Sequence, residues 1–203
     1  MISLAGTRAL PDRRGSARPE RRPLVDADRA SERFREVVLP HLADCLAFAN
    51  WLTGNRHDAE DVVQEACIKA LNGIQGFDGR NARAWTLTIV RNCAFDWLAK
   101  HHPKAVISVG DLAALDEAAQ SEGLAPGDSS NAESELIRQA ESAAIGAAIA
   151  DLPHVLREVL ILRDVNGFSY KEIAAILSVP MGTVMSRLAR ARARVAATIV
   201  EAQ

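Results

Sequence analysis

Residues Ser169–Arg194 read SYKEIAAILSVPMGTVMSRLARARAR, which is the pattern of two short helices around a tight turn, the second carrying a row of arginines. Ser169 can cap the first helix through its hydroxyl, and Glu172, three residues on, can reach back to the cap's own amide, the reciprocal arrangement of a capping box. Ile173, Ile176 and Leu177 follow at helical spacing. Ser178, Val179 and Pro180 break it, because proline lacks an amide hydrogen and disfavours helix at the residue before it; Gly182 and Thr183 then stand at the start of a new helix. On that helix Arg187, Arg190 and Arg194 share a face, Val184, Leu188, Ala191 and Val195 form the apolar stripe opposite, and Arg192 lies on the flank. Met181 to Val200 contains no acidic side chain, so these arginines have no counter-charge on their own helix and are expected to be free for phosphate. A basic run alone indicates only a solvated face. Capping box, proline turn and arginine face in this order point to a helix-turn-helix on duplex DNA.

Working outward, 203 residues suffice for one large or two small domains, and the composition is that of a helical globular protein. The net charge of -2 argues against a nucleic-acid binder only until its distribution is read. From His101 to Glu133 the one basic side chain is Lys104, against Asp111, Asp116, Glu117, Glu122, Asp128 and Glu133, so this segment hides the basic faces elsewhere. No apolar run is long enough to cross a bilayer, and the arginines near the start precede no apolar core, so neither a secretory leader nor membrane insertion is expected and the place of action is cytoplasmic. Cys45, Cys67 and Cys93 are odd in number and lie within helical apolar patterns, which suits reduced core residues. The histidines 41, 57, 101, 102 and 154 lack ligand spacing, so neither a metal site nor a cofactor is expected.

Residues 1–30, with Pro11, Pro19, Pro23 and seven arginines, read as a disordered basic arm. Order is expected from Ser31. Val38, Leu42, Cys45, Leu46, Ala49 and Leu52 mark a helix that bends at Pro40 and stops at Gly54 and Asn55. A second helix takes Asp58 as cap and buries Ala59, Val62, Val63, Ala66 and Ala70; its other face is acidic. Gln75–Asn81, QGFDGRN, is a loop, and a helix from Ala82 to about Lys100 packs Trp85, Ile89, Cys93 and Trp97. These helices make a first domain over 31–102. Residues 103–133 read as an exposed acidic linker, with room for a short helix at 112–119. A second domain over 134–203 holds a helix opened by Pro153 and closed by Asn166 and Gly167, then the helix-turn-helix. The predicted fold is all-α, two small helical domains on a flexible tether.

The two blocks DAEDVVQEACIKAL with WTLTIVRNCAFDWL, and LPHVLREVLILRDVNGFSYKEIAAILSVPMGTVMSRLARAR, resemble bacterial sigma factors of the extracytoplasmic-function class, the smallest members of the sigma-70 family. The resemblance covers Arg33 to Lys100 and Leu152 to Val195. It implies that the first domain is region 2, which docks on the clamp helices of core RNA polymerase and captures the melted promoter near -10, and that the second is region 4, which reads the duplex near -35 beside the polymerase flap. The acidic and amide-bearing face of Asp58, Glu60, Asp61, Gln64 and Glu65 suits a basic coiled coil. For the melted strand the resemblance points to Phe77, Asp78, Arg80, Asn81 and Arg83, with Asp78 and Asn81 reading a base edge, Arg80 and Arg83 tracking phosphate, and Arg91 and Lys100 as further phosphate contacts. Asn92 and Asp96 match the family's pattern as structural residues. For the duplex, Met181, Thr183, Met185, Ser186 and Ala189 face base edges, Arg187, Arg190 and Arg194 reach guanine or phosphate, and Tyr170 and Lys171 meet the backbone. Relatives often carry Lys or Arg where this chain has Met185. The resemblance further implies a cytoplasmic anti-sigma domain as partner; the acidic linker falls outside it.

Two other classes compete. A free-standing helix-turn-helix regulator would bind paired half-sites as a dimer, but this reading leaves the acidic helix and the Phe77 loop without a purpose. An enzyme would need a phosphate loop, a nucleophile with its base, or a metal spacing, and the sequence has none of these.

Overall fold

A computed structural model describes residues 24–102 and 142–201. The residues before 24, the expected linker at 103–133 with its optional short helix, and the first residues of the expected second domain at 134–141 lie outside the described residues. The first domain consists of α1 (Leu24–Val37), a 3-10 turn (Leu39–His41), α2 (Leu42–Thr53), α3 (Arg56–Gly73), a second 3-10 turn (Ile74–Gly76) and α4 (Ala82–His101). The second consists of α5 over residues 142–150, α6 (His154–Leu160) prolonged by a π-turn (Ile161–Val165), α7 (Tyr170–Leu177) and α8 (Met181–Glu201). Among the described residues every regular element is helical, as expected.

Two boundaries differ from the sequence reading. Helix begins at Leu24, not Ser31. Ala30, Phe34 and Val37 pack on Val38, Ala70, Ile74 and Phe77, so α1 is held by a small core of its own. The cap of α3 is Asn55, not Asp58; the Asn55 side chain accepts from the Asp58 amide at 2.9 Å. Asp58 lies one turn in, where its charge still favours the positive helix end. The stop before it holds as read: Gly54 closes α2 at φ 84, a conformation that a side chain would strain.

Phe48, Leu52, Ala59, Val62, Leu87 and Val90 fill the first domain, and Leu156, Val159, Leu162, Ile173, Val184 and Leu188 the second. They form one continuous buried cluster, because α6 packs against α2 and α7 against α4. Cys45 and Cys93 are buried in it and all three cysteines are unpaired; burial pushes the Cys45 thiol up to about 12, which keeps it an inert core residue. The capping box forms: the Glu172 amide donates to Ser169 Oγ at 3.3 Å and the Ser169 amide to Glu172 Oε2 at 2.8 Å. Ser178 takes the left-handed conformation at φ 54, and α8 leaves α7 at 101°. That angle is the helix-turn-helix geometry read from the sequence.

Candidate nucleic-acid interface

Three surfaces carry the expected site residues. On α3, Asp61, Gln64 and Glu65 are exposed and Asp58 and Glu60 half-buried, because Ala59, Val62 and Ala66 turn the opposite stripe into the core. Glu60 pairs with Arg56 at 2.8 Å and Glu65 with Lys69 at 2.9 Å, exposed i,i+4 contacts that water screens. Beside them Ile68 is 63% and Leu71 40% exposed. The sequence reading missed these two. Its signal was available: both are large apolar residues outside the buried stripe, at i+4 and i+7 from Gln64.

The loop after α3 departs from expectation at Phe77. Its ring is 7% exposed and packs on Trp85 with centroids 5.1 Å apart, while Arg33 of α1 donates to its carbonyl at 2.7 Å. A ring so enclosed has no free face for a base, so Phe77 is a core residue here. The rest of the loop is open. Gly79 turns it at φ 81, Asp78 accepts from the Arg80 amide at 2.9 Å, and the Arg80 side chain is 89% exposed. Asn81 caps α4 by accepting from the Ala84 amide at 3.0 Å, and its Nδ2 donates to Glu172 Oε1 at 2.6 Å.

Along α4 the two arginines are engaged. Arg83 donates from Nε to Asp44 at 2.6 Å and from Nη1 to the Asn166 carbonyl at 2.7 Å, with its guanidinium 4.6 Å from the centre of the Phe168 ring. Arg91 holds Glu158 in a two-pronged contact, Nε to Oε2 at 2.8 Å and Nη2 to Oε1 at 3.3 Å, and covers Phe95. Lys100 and Asn92 are exposed, and Asp96 lies 3.4 Å from Lys69.

On α8, Met181, Met185, Ser186 and Ala189 lie on the outward side with Thr183 half-buried beside them. Tyr170 is half-exposed, with Arg163 5.0 Å from its ring centre, and Lys171 is exposed. Arg190 and Arg194 are half-exposed on the flank. Arg187 overturns its assignment to DNA. It is 5% exposed, and its Nη1 points at Glu158 Oε1 from 3.7 Å. Arg192 is also balanced, by Asp164 at 2.6 Å. Met181 to Val200 of α8 carries no acid, but the counter-charges come from α6 and the π-turn after it.

Glu158 is the second feature missed. It is fully buried, and burial pushes its carboxyl up while the Arg91 hydrogen bond and the Arg187 charge draw it down. Two guanidiniums on one carboxylate make its burial tolerable. The signal was a charged pair inside the apolar run from Val155 to Leu162. Its neighbour Arg157 donates to the carbonyls of Ile149, Ala150 and Leu152, satisfying the end of α5, and crosses to the Trp51 carbonyl at 3.0 Å. Among the described residues no group of His, Cys, Asp and Glu could hold a metal ion, and no single helix is long and apolar enough to cross a membrane.

A helix-turn-helix with an exposed outward face, beside a helical domain with an acidic face and an exposed polar loop, agrees with the comparisons. The family profile for Sigma-70 region 2 matches residues 37–103, and that for Sigma-70 region 4 matches 142–195. The ECF RNA polymerase sigma factor EcfG of Rhodopseudomonas palustris (strain TIE-1) is 34% identical over 178 residues, 87% of either chain. This chain belongs to the ECF sigma factors of the sigma-70 family. The ECF RNA polymerase sigma-E factor of Escherichia coli (strain K12) is 37% identical over 136 residues, 66% of this chain and 70% of that one. Among solved structures, the sigma factor RpoE in complex with the anti-sigma factor NepR from Bartonella quintana superposes with a TM-score of 0.59 at 28% identity, covering 82% of this chain and 96% of that one. CnrH, in complex with the cytosolic domain of CnrY, gives a TM-score of 0.56 at 25% identity, covering 88% and 97%. Region 2 and region 4 below denote the matched segments.

Proposed function

We propose that this ECF sigma factor is a dissociable initiation subunit that binds core RNA polymerase and directs it to promoters by recognising -10 and -35 elements, with the catalytic chemistry left to the polymerase. The observation that carries the reading is the joint presence of both sigma segments in one chain, on a relative matched over 87% of its length. The exposed acidic face of α3, with Ile68 and Leu71 beside it, is the polymerase-docking surface, complementary to a basic coiled coil. Asp78, Arg80, Asn81, Arg83, Arg91 and Lys100 are the groups for melted -10 DNA. Met181, Thr183, Met185, Ser186 and Ala189, flanked by Arg190, Arg194, Tyr170 and Lys171, are the groups for the -35 duplex. Phe77 and Arg187 act through packing. Met185, half exposed on this face, offers an apolar contact suited to a thymine methyl in place of a guanine hydrogen bond.

The chain works in the cytoplasm, where polymerase and genome meet. Its regulatory partner is an anti-sigma domain, as for the RpoE relative, whose solved structure holds NepR. Nuclease footprinting distinguishes this function from that of a free-standing regulator. With core polymerase present, the chain is expected to extend protection over two spaced elements; a two-fold symmetric footprint from the chain alone would end the sigma reading.

A further inference from the structure

Sulfur is distributed unevenly between the core and the surface of this chain. Cys45 and Cys93 are buried and Cys67 is half-buried, and burial pushes all three thiols up, so little thiolate is present to meet an oxidant. Met181 and Met185 are 53% and 50% exposed, one turn apart on the outward side of α8 beside Ser186 and Ala189. A thioether has no proton to lose, so its oxidation requires exposure and no ionisation. Among the described residues these two methionines carry the most open sulfur atoms. The core makes no use of them, since Val184, Leu188 and Ala191 supply the buried stripe of the same helix.

We infer that Met181 and Met185 form a paired oxidation site on the recognition helix, at which a hydroperoxide weakens the hold of region 4 on duplex DNA and reduction by thiols restores it. The inference rests on the -35 reading of α8. At each methionine a sulfur lone pair attacks one peroxide oxygen. The S–O bond forms as the O–O bond breaks, the sulfur gives up two electrons, and the proton of the transferred oxygen leaves with the departing hydroxide as water. Two thiols reverse the change, returning the thioether and forming a disulfide and water. A pliable apolar side chain thereby becomes polar. The sulfoxide oxygen only accepts hydrogen bonds, whereas the major groove presents the acceptors N7, O6 and O4 and the thymine methyl at many positions. A contact with a methyl is lost, and an oxygen meets other oxygens. Recognition helices enter the groove by their N-terminal residues, and both sulfur atoms lie in the first two turns of α8. The helix itself persists, because its buried stripe is untouched.

The test treats the full chain with hydrogen peroxide, removes the peroxide with catalase, maps added oxygen by peptide mass spectrometry, and then supplies the chain to untreated core polymerase on genomic fragments. Oxygen is expected at Met181 and Met185 before any cysteine, with transcription from the chain-dependent starts lowered about tenfold, the scale of one spoiled base contact. Methionine sulfoxide reductases of both epimer specificities, with a thiol reductant, should restore it. The double variant Met181→Leu with Met185→Leu is compared only with itself and should keep its own level after peroxide. Oxidation that reaches a cysteine first, full transcription by a chain carrying both sulfoxides, or an equal loss in the double variant overturns the inference. So does a lowered melting temperature of the oxidised chain, which would assign the loss to unfolding. Where the double variant starts without transcription, the reductases decide: recovery supports the site and its absence overturns it. Failure of the sigma reading would appear separately, as no new starts from the untreated chain, and the inference would fall with it.

Discussion

Arg91 on α4 and Glu158 on α6, 67 positions apart in sequence, meet through two hydrogen bonds at 2.8 and 3.3 Å, and Glu158 has no exposure to water. This contact joins the region 2 domain to the region 4 domain. The same carboxylate faces Arg187 of the recognition helix at 3.7 Å.

Arg187 is therefore expected to matter for stability and not for base recognition. Arg187→Ala leaves Glu158 one guanidinium short inside the core and should cost about 3 kcal/mol in denaturant unfolding. The folded fraction should still bind a -35 duplex with nearly unchanged affinity. A loss of duplex affinity without a loss of stability would return Arg187 to the DNA surface.

The Phe77 loop divides in the same manner. Phe77→Ala removes a ring packed on Trp85 and is expected to destabilise the chain by about 3–5 kcal/mol, seen in thermal unfolding. Arg80→Ala, whose side chain is 89% exposed, should leave stability within about 0.5 kcal/mol and weaken open-complex formation on a promoter. The reverse pattern would put Phe77 on the melted strand.

The helical elements were legible because their signals are local. Ser169 with Glu172, the Pro180 turn, Gly54 and the Gln75–Asn81 loop act within a few residues of themselves, and the structure has each of them in place except that Gln75 and Gly76 belong to the 3-10 turn that ends α3. What the sequence hid was pairing at a distance. Met181 to Val200 holds no acid, yet Asp164 and Glu158 reach Arg192 and Arg187 from other helices. Phe77 read as a platform because a loop aromatic beside cations suits one; that α1 and Trp85 enclose it follows only from the packing of three elements. The start of α1 was missed for a related reason: its arginines look like an arm until Phe34 and Val37 find Ile74.

The proposed polymerase surface yields a prediction of opposite kind. Asp61→Lys with Glu65→Lys on the exposed face of α3 should weaken core polymerase binding about tenfold, more at low salt, because complementary charges steer association. Folding should be unaffected, since neither side chain is buried. Unchanged affinity across a salt titration would move the docking surface elsewhere.

Acid should loosen the region 4 side of the interface through His154. Burial first, then the charges of Arg157 and His102, pull its imidazole down to about 4, and among the described residues its Nδ1 has no hydrogen-bond partner. In the unfolded chain a histidine titrates near about 6.5. The folded state thus refuses a proton that the unfolded state accepts. This contribution to stability is intact above about pH 6.5 and declines as pH falls toward 4. His154→Phe should remove that part of the slope. A wild-type-minus-variant stability difference that stays constant across this window would contradict the assignment.

The most direct measurement is transcription in vitro from genomic fragments by purified core polymerase, with and without this chain, followed by mapping of start sites. The account predicts new starts that appear only with the chain, each preceded by the same two elements at a fixed spacing near -10 and -35. An unchanged set of starts, with the chain demonstrably bound to core polymerase, would contradict it.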